Sequence, residues 1–162
     1  EILTVTEPAD SLKYVKAAWH YARGMAFARM NKINEARNEL KSFSQLVEDP
    51  FMEYTVSGFN SFRKILSIGE NMLEAEIEVK LKNYDKAIQL LTAARDIEDN
   101  LLYQEPPDWY HPTRQVLGSV LLDAKRPADA EKQFREDLNQ YRKNGWSLFG
   151  LYQSLRAQGK NK

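Results

Sequence analysis

The chain has 162 residues, of which 43% are apolar and 28% charged, the balance of a folded globular protein and not of a disordered one. Its 23 basic and 23 acidic residues cancel, which disfavours nucleic acid as the main partner because phosphate binding normally requires a basic excess. The sequence has no cysteine, which excludes disulfides, thiolate metal sites and a cysteine nucleophile, and no run of the roughly 18 apolar residues that a membrane-spanning helix needs.

Helical periodicity, interrupted by proline, glycine and asparagine, divides the chain into seven predicted helices. They cover residues 12–31, 34–47, 61–81, 84–100, 112–124, 127–141 and 144–158. The residues before Asp10 are predicted to form an extended lead-in, and residues 51–59 a short helix or a turn. Pro106 and Pro107 are expected to hold the segment up to Pro112 as an extended loop, because proline disfavours the helical conformation in the residue before it.

A spacing of twelve residues between two small side chains recurs three times along the chain. The pairs are Gly24 and Ala36, Ala75 and Ala87, and Gly118 and Ala130, each separated by a short polar turn. Two antiparallel helices joined by such a turn cross closely, and small residues at the crossing let their backbones approach. The larger Leu40, Leu91 and Phe134 follow one turn later, and we expect them to fill the space beside each crossing.

This skeleton resembles the tetratricopeptide repeat (TPR), in which Trp-x-x-Leu-Gly-x-x-Tyr precedes Ala-x-x-x-Phe. The corresponding segments are His20-x-x-Arg23-Gly24-x-x-Phe27, Arg114-x-x-Leu117-Gly118-x-x-Leu121 and the opening Trp146-x-x-Phe149-Gly150. The chain departs from the motif at Glu74, Glu78 and Asp137, where small or apolar residues are usual. Its intervals of 51 residues from Ala36 to Ala87 and 43 from Ala87 to Ala130 also exceed the usual repeat length of about 34.

Two segments near the carboxyl end resemble the C-terminal region of a group of bacterial TPR proteins. They are Glu105-Pro106-Pro107-Asp108-Trp109-Tyr110-His111-Pro112 and Asn144-Gly145-Trp146-Ser147-Leu148-Phe149-Gly150-Leu151. The resemblance implies an all-α fold, an α-α superhelix or TPR-like solenoid of about three antiparallel helix pairs plus a C-terminal capping helix. The single domain 1–162 would contain units at about 12–47, 61–100 and 112–141 and the capping helix at 144–158. It implies no activity. With the missing initiator methionine, it leads us to expect a longer protein.

The loop of residues 105–112 is the strongest candidate for a specific function. It places Trp109, Tyr110 and His111 beside two prolines in a segment that is longer than a repeat needs. One interpretation is a rigid aromatic lip that stacks a ligand or grips a peptide. The other, which the large apolar bodies of tryptophan and tyrosine favour, is a plug that fills the gap between the second and third helix pairs.

The concave surface of a helical-repeat array is lined by positions on the first helix of each pair. The predicted partner-binding residues are Tyr21, Met25, Arg29, Met72, Glu76, Trp109, Tyr110, His111, Arg114, Gln115, Ser119 and Ser147. The set mixes polar and apolar side chains and lacks the cluster of Lys and Arg residues that would clamp a terminal carboxylate. Arg114 also has a second interpretation, as an internal partner of Glu105 or Asp108.

The two histidines, His20 and His111, would have to meet in space to form a metal site. Such a site would need help from Glu74, Glu76 or Glu78 on the intervening helix. Neither a His-x-x-x-His nor a His-Glu-x-x-His pair is present, so no metal site is predicted, and His20 is expected to pack at the Trp position of its repeat.

Enzymatic signatures are also missing from the sequence. Glu74 and Glu78 are neighbours on one helix face and are expected to be solvated or paired with lysines such as Lys80 and Lys82. There is no glycine-rich phosphate loop, nucleophile elbow or local Ser-His-Asp signature, so we expect neither catalysis nor a cofactor.

The sequence therefore predicts a non-catalytic scaffold that binds a protein or peptide through the concave face of the array. The alternative is a small-molecule or metal-binding module that uses the Trp109–His111 loop. We expect a soluble chain, without membrane insertion, in the cytoplasm or the bacterial periplasm, both of which accept cysteine-free proteins. Exposed ends of the array are expected to allow homo-oligomers.

Overall fold

A computed structural model of the chain describes residues 1–56 and 58–160. Within these residues the chain forms seven α-helices, numbered here in chain order. They are α1 (Lys13–Arg29), α2 (Ile33–Val47), α3 (Phe62–Lys80), α4 (Tyr84–Asp99), α5 (Thr113–Asp123), α6 (Pro127–Gln140) and α7 (Gly145–Ala157). Every helix begins and ends within two residues of its predicted bounds, so the all-α prediction is confirmed.

The helices pack as consecutive pairs: α1 with α2, α3 with α4, and α5 with α6. The pairs lie next to one another in chain order, since α3 contacts both helices of the first pair and α5 contacts α4. The last helix, α7, packs on α6 and α5. This arrangement places one core between successive pairs, with Ala36, Ala87 and Ala130 completely buried in it.

The three pairs share one turn conformation. Asn31, Lys82 and Lys125 occupy the left-handed region, with φ angles of 60°, 62° and 61°. After each of them a backbone N–H returns to a carbonyl oxygen five residues earlier, from Lys32 to Phe27 at 2.9 Å and equivalently in the other two turns. This is the Schellman arrangement, which pairs the last carbonyls of the first helix while it reverses the chain.

Small residues allow the close crossings that the spacing predicts. Phe134 of α6 lies between Gly118 of α5 and Gly150 of α7, where an added Cβ atom would come within 2.5 Å and 2.3 Å of its ring. An added Cβ atom on Gly24 would come within 2.6 Å of Leu73 of α3 and 3.3 Å of Glu39 Cβ of α2, so Gly24 serves both the first pair and its contact with the second. Side chains larger than hydrogen would separate these helices.

The segment between α2 and α3 contains elements that the sequence only partly predicts. A 3₁₀ helix at Pro50–Glu53 is followed by two short antiparallel strands, β1 (Thr55–Val56) and β2 (Asn60–Ser61). The strands have two residues each, too few for alternation of apolar and polar side chains to reveal them. The Ser61 hydroxyl then accepts a hydrogen bond from Lys64 N at 3.2 Å and caps α3.

Candidate functional site

Trp109 is the buried anchor of the long connection between α4 and α5. Its side chain is 7% exposed and lies on Gly69 of α3, where an added Cβ atom would come within 2.8 Å of the indole ring. The ring also meets Tyr21 of α1 edge-on, with centroids 5.5 Å apart and planes at 70°. Trp109 therefore acts as a plug, but the gap that it fills lies between the first and second helix pairs and not between the second and third.

Asn60 holds this connection in place. The side chain is 2% exposed, and its Nδ2 atom donates to Leu102 O at 2.8 Å and to Asp108 Oδ2 at 2.7 Å. Its Oδ1 atom accepts from Leu102 N at 2.9 Å. One buried amide thus fixes both the beginning of the connection and the residue before Trp109. The sequence did not predict this role. Next to Gly58, Asn60 indicates only that the helical pattern is interrupted there.

Tyr110 and His111 remain at the surface beside Trp109. Tyr110 is 74% exposed and His111 is half-buried. Burial, and then the nearby positive charge of Arg29, lower the pKa of His111. Arg29 in turn lies 3.8 Å from Glu76 of α3, measured from Nε to Oε1. Side chains from α1, α3 and the connection thus converge on one surface.

We call this patch the Tyr110 surface and define it by Met25, Arg29, Glu76, Tyr110 and His111. Met25 belongs to it because residues four apart share a helix face, and Met25 precedes Arg29 by four on α1. The Glu76 carboxylate also lies 3.5 Å from Lys80 Nζ, so two cations flank one anion here. These five residues are predicted partner-binding positions that the structure leaves at least partly accessible.

Five other predicted positions lie in the interior. They are Tyr21, Met72, Trp109, Gln115 and Ser147, each 8% exposed or less. The connection between α4 and α5 covers Tyr21 through Trp109. Gln115 and Ser147 instead face α6, where they contact Asp137. Ser119 is exposed but has no described link to the Tyr110 surface.

Gln115 and Ser147 bind the buried carboxylate of Asp137. Asp137 is 1% exposed, and its Oδ2 atom accepts from Gln115 Nε2 at 3.1 Å and from the Ser147 hydroxyl. The TPR motif has a small or apolar residue at this position. Here two donors, one from α5 and one from α7, allow a buried carboxylate instead. These three side chains connect the last three helices.

Arg114 forms ion pairs within the chain, as its second interpretation expected. Its partners, however, are Asp99 and Glu136 and not Glu105 or Asp108. Its guanidinium binds both carboxylate oxygens of Asp99, and its Nε atom lies 3.4 Å from Glu136 Oε2. These contacts, led by Asp99, raise the pKa of Arg114 further above its ordinary value. Neither Glu105 nor Asp108 pairs with it among the described ion pairs.

Glu74 and Glu78 share one lysine. Lys86 Nζ lies 2.7 Å from Glu74 and 2.8 Å from Glu78, and Asn83 Nδ2 donates to Glu78 at 2.7 Å. Lys86 and then Asn83 hold the pKa of Glu78 below its ordinary value. The predicted lysine pairing exists, but its partner is Lys86 of α4 and not Lys80 or Lys82.

His20 and His111 have separate surroundings. His20 Nδ1 lies 2.6 Å from Glu39 Oε2 on α2, whereas His111 lies near Arg29. In the part of the chain that the structure describes, no three His, Asp or Glu residues are grouped so that they could hold a metal ion.

Two cavities adjoin Trp109. One of about 340 Å³ lies on the α4 side of the connection and is lined by residues that include Glu98, Tyr103, Asp108 and Tyr141. The other, of about 110 Å³, lies between the connection and α1 and is lined largely by aromatic rings. Asp108 and Trp109 line both.

No protein-family model, curated protein or solved structure matches this chain. In the described residues, every helix is too short or too polar to traverse a lipid bilayer. Function therefore has to follow from the geometry of the chain itself.

Proposed function

We propose that the chain is a non-catalytic, TPR-like helical-repeat module that binds a peptide segment of a partner protein on the Tyr110 surface. The observation that carries this proposal is the 74% exposure of Tyr110 beside Trp109, which is fully anchored by the core. An exposed aromatic side chain offers a large apolar contact area, and tyrosine is enriched where proteins recognise one another. The repeated Schellman turns and buried alanines support the TPR-like assignment.

The charges of the Tyr110 surface favour an acidic residue in that peptide. Arg29 and Lys80 both face the single carboxylate of Glu76, and the Arg29 side chain is 64% exposed. An arginine that is so accessible can form a second, bidentate contact with a carboxylate of a partner. The half-buried Met25 supplies an adaptable apolar contact next to it. The expected ligand is a short segment that combines an acidic and an apolar side chain.

A library of random twelve-residue peptides displayed on phage tests the proposal. We expect selection on the immobilised chain to enrich peptides with Asp or Glu near an apolar residue. Fluorescence anisotropy of the labelled peptides should then show binding that weakens about tenfold in Tyr110→Ala and in Arg29→Ala, the loss typical of an interface residue that contributes over 1 kcal/mol.

Tyr152→Ala is the matched control, because Tyr152 is an exposed tyrosine on α7 and lies outside the Tyr110 surface. It should bind the selected peptides like the unchanged chain. Selection of no peptide, or of peptides whose affinity depends on Tyr152 and not on Tyr110, would overturn the proposal.

A further inference from the structure

The smaller cavity beside Trp109 is enclosed by aromatic side chains. Its volume is about 110 Å³, and its walls include Tyr14, Tyr21, Phe43, Trp109 and Tyr110. A water molecule takes up about 30 Å³ of the liquid, so the cavity has room for roughly four atoms larger than hydrogen. That is the size of a trimethylammonium group.

Several of the rings that line the cavity also pack on one another. Tyr21 and Trp109 lie 5.5 Å apart at 70°, and Trp109 and Tyr110 lie 5.4 Å apart at 45°, measured between ring centroids and planes. Phe43 lies 5.8 Å from Tyr21 at 47°. The face of an aromatic ring carries negative electrostatic potential, so a cation that contacts such a ring face-on is stabilised.

A carboxylate adds formal negative charge to this lining. Asp108 lines the cavity and accepts a hydrogen bond from Asn60, but none of the described ion pairs includes it. In the described part of the chain, the cations that lie over aromatic rings lie over Trp19, Phe27 and Phe51, and not over the rings of the cavity. The protein therefore provides an environment for a cation and places none of its own in it.

Tyr110 and Ala18 are exposed members of the cavity lining, whereas Tyr21, Phe43 and Trp109 are buried. Tyr110 also belongs to the Tyr110 surface, so the cavity adjoins that surface.

We propose that this cavity binds a methylated ammonium group, carried either by a free quaternary ammonium compound or by a trimethylated lysine. The inference goes beyond peptide binding and stands without it. Methyl groups spread the positive charge and reduce its hydration, so that transfer into an aromatic lining costs less than for an unmodified ammonium. A calcium ion would need six to eight oxygen ligands, and here the one carboxylate is that of Asp108.

Choline and its neutral carbon isostere, 3,3-dimethylbutan-1-ol, are the probes that separate charge from shape. Titration calorimetry of the whole chain, with tryptophan fluorescence as a second signal, measures both. We expect choline to bind roughly three to thirty times more tightly, the range expected of a partly desolvated cation–π contact. Equal affinity would show an apolar pocket and overturn the proposal, as would the absence of choline binding.

Single substitutions test whether choline binds in this cavity. Asp108→Asn keeps an acceptor for Asn60 and removes the charge, so choline should bind about tenfold more weakly while the isostere is unaffected, because only the charge contribution is lost. Tyr110→Ala should weaken choline binding, and Tyr152→Ala should not. Choline binding that is unchanged in Tyr110→Ala would overturn the assignment. Unaltered circular dichroism and melting temperature confirm that each variant is folded.

A pair of peptides that differ only in one lysine, trimethylated or unmodified, distinguishes the two sources. Tighter binding of the trimethylated peptide than of choline indicates a modified protein, and tighter binding of choline indicates a small molecule. A preference for the unmodified peptide would overturn the proposal. Failure of the choline titration leaves the phage selection unaffected, so the two proposals fail separately.

Discussion

Buried polar side chains set the arrangement of the carboxyl-terminal helices at the residue scale. Asp137 receives one hydrogen bond from Gln115 and one from Ser147, and no described cation pairs with it. A buried carboxylate is tolerated when it accepts hydrogen bonds, and its loss leaves the donors unpaired. The Asp137 carboxylate of α6 thus joins α5 and α7 to it.

Asp137→Ala should lower the free energy of unfolding by about 1–3 kcal/mol, because Gln115 Nε2 and the Ser147 hydroxyl lose their acceptor inside the protein. Urea unfolding followed by circular dichroism measures the change. Asp123→Ala is the control, since Asp123 is exposed at the end of α5, and it should change stability by less than about 0.5 kcal/mol. Equal effects of the two substitutions would show that the buried contacts contribute nothing.

The hairpin turns are the repeating unit at the element scale, more clearly than any sequence motif. Each places a residue other than glycine in the left-handed region, and two of these residues are Lys82 and Lys125. Such a residue pays a conformational cost that glycine does not. The same turn also ends α7, where Gly159 has a φ angle of 71°.

Lys125→Gly should therefore raise the stability of the chain, by up to about 1 kcal/mol after the greater entropy of glycine in the unfolded state is subtracted. Thermal unfolding is the measurement. Lys132→Gly provides the contrast, because Lys132 lies on α6 with its side chain 73% exposed, and glycine inside a helix costs about 1 kcal/mol. If both substitutions destabilise the chain equally, the left-handed turn carries no strain.

Helix bounds were predictable from the sequence because their signals are local. Apolar periodicity and stops such as Asp49-Pro50 act within one turn of the chain, and the structure confirms them to within two residues. The contacts of Asn60 span 42 and 48 residues, so no local pattern contains them. For the same reason the predicted surface included Tyr21: the helix face was identifiable, but its cover by a distant connection was not.

At the scale of the whole molecule, the principal contacts join neighbours in chain order, from α1 and α2 to α6 and α7. Stability in such an arrangement is approximately a sum over pairs and the interfaces between them. The outer face of α7 exposes three aromatic side chains, Trp146, Phe149 and Tyr152. Self-association through this face, expected from the sequence, stays a prediction.

Removal of residues 145–162 should destabilise the third pair and spare the first two. Phe134 would lose its contact with Gly150, and Asp137 its bond to Ser147. Hydrogen exchange should show faster exchange in α5 and α6 and unchanged protection in α1 to α3, because local opening follows the cooperative units of a structure. Uniform loss of protection would instead indicate one indivisible cooperative unit.

The Asn60 tether has a consequence for the order in which the chain folds. Helix pairs form from contacts that are near in sequence. The tether closes long loops, which costs more conformational entropy, so we expect it to form late in folding. Trp109 can cover Tyr21 and Phe43 only after α3 is in place to receive it on Gly69. Until then the first helix pair carries an uncovered aromatic patch. A nascent chain thus keeps this patch uncovered until the residues up to Trp109 have been made.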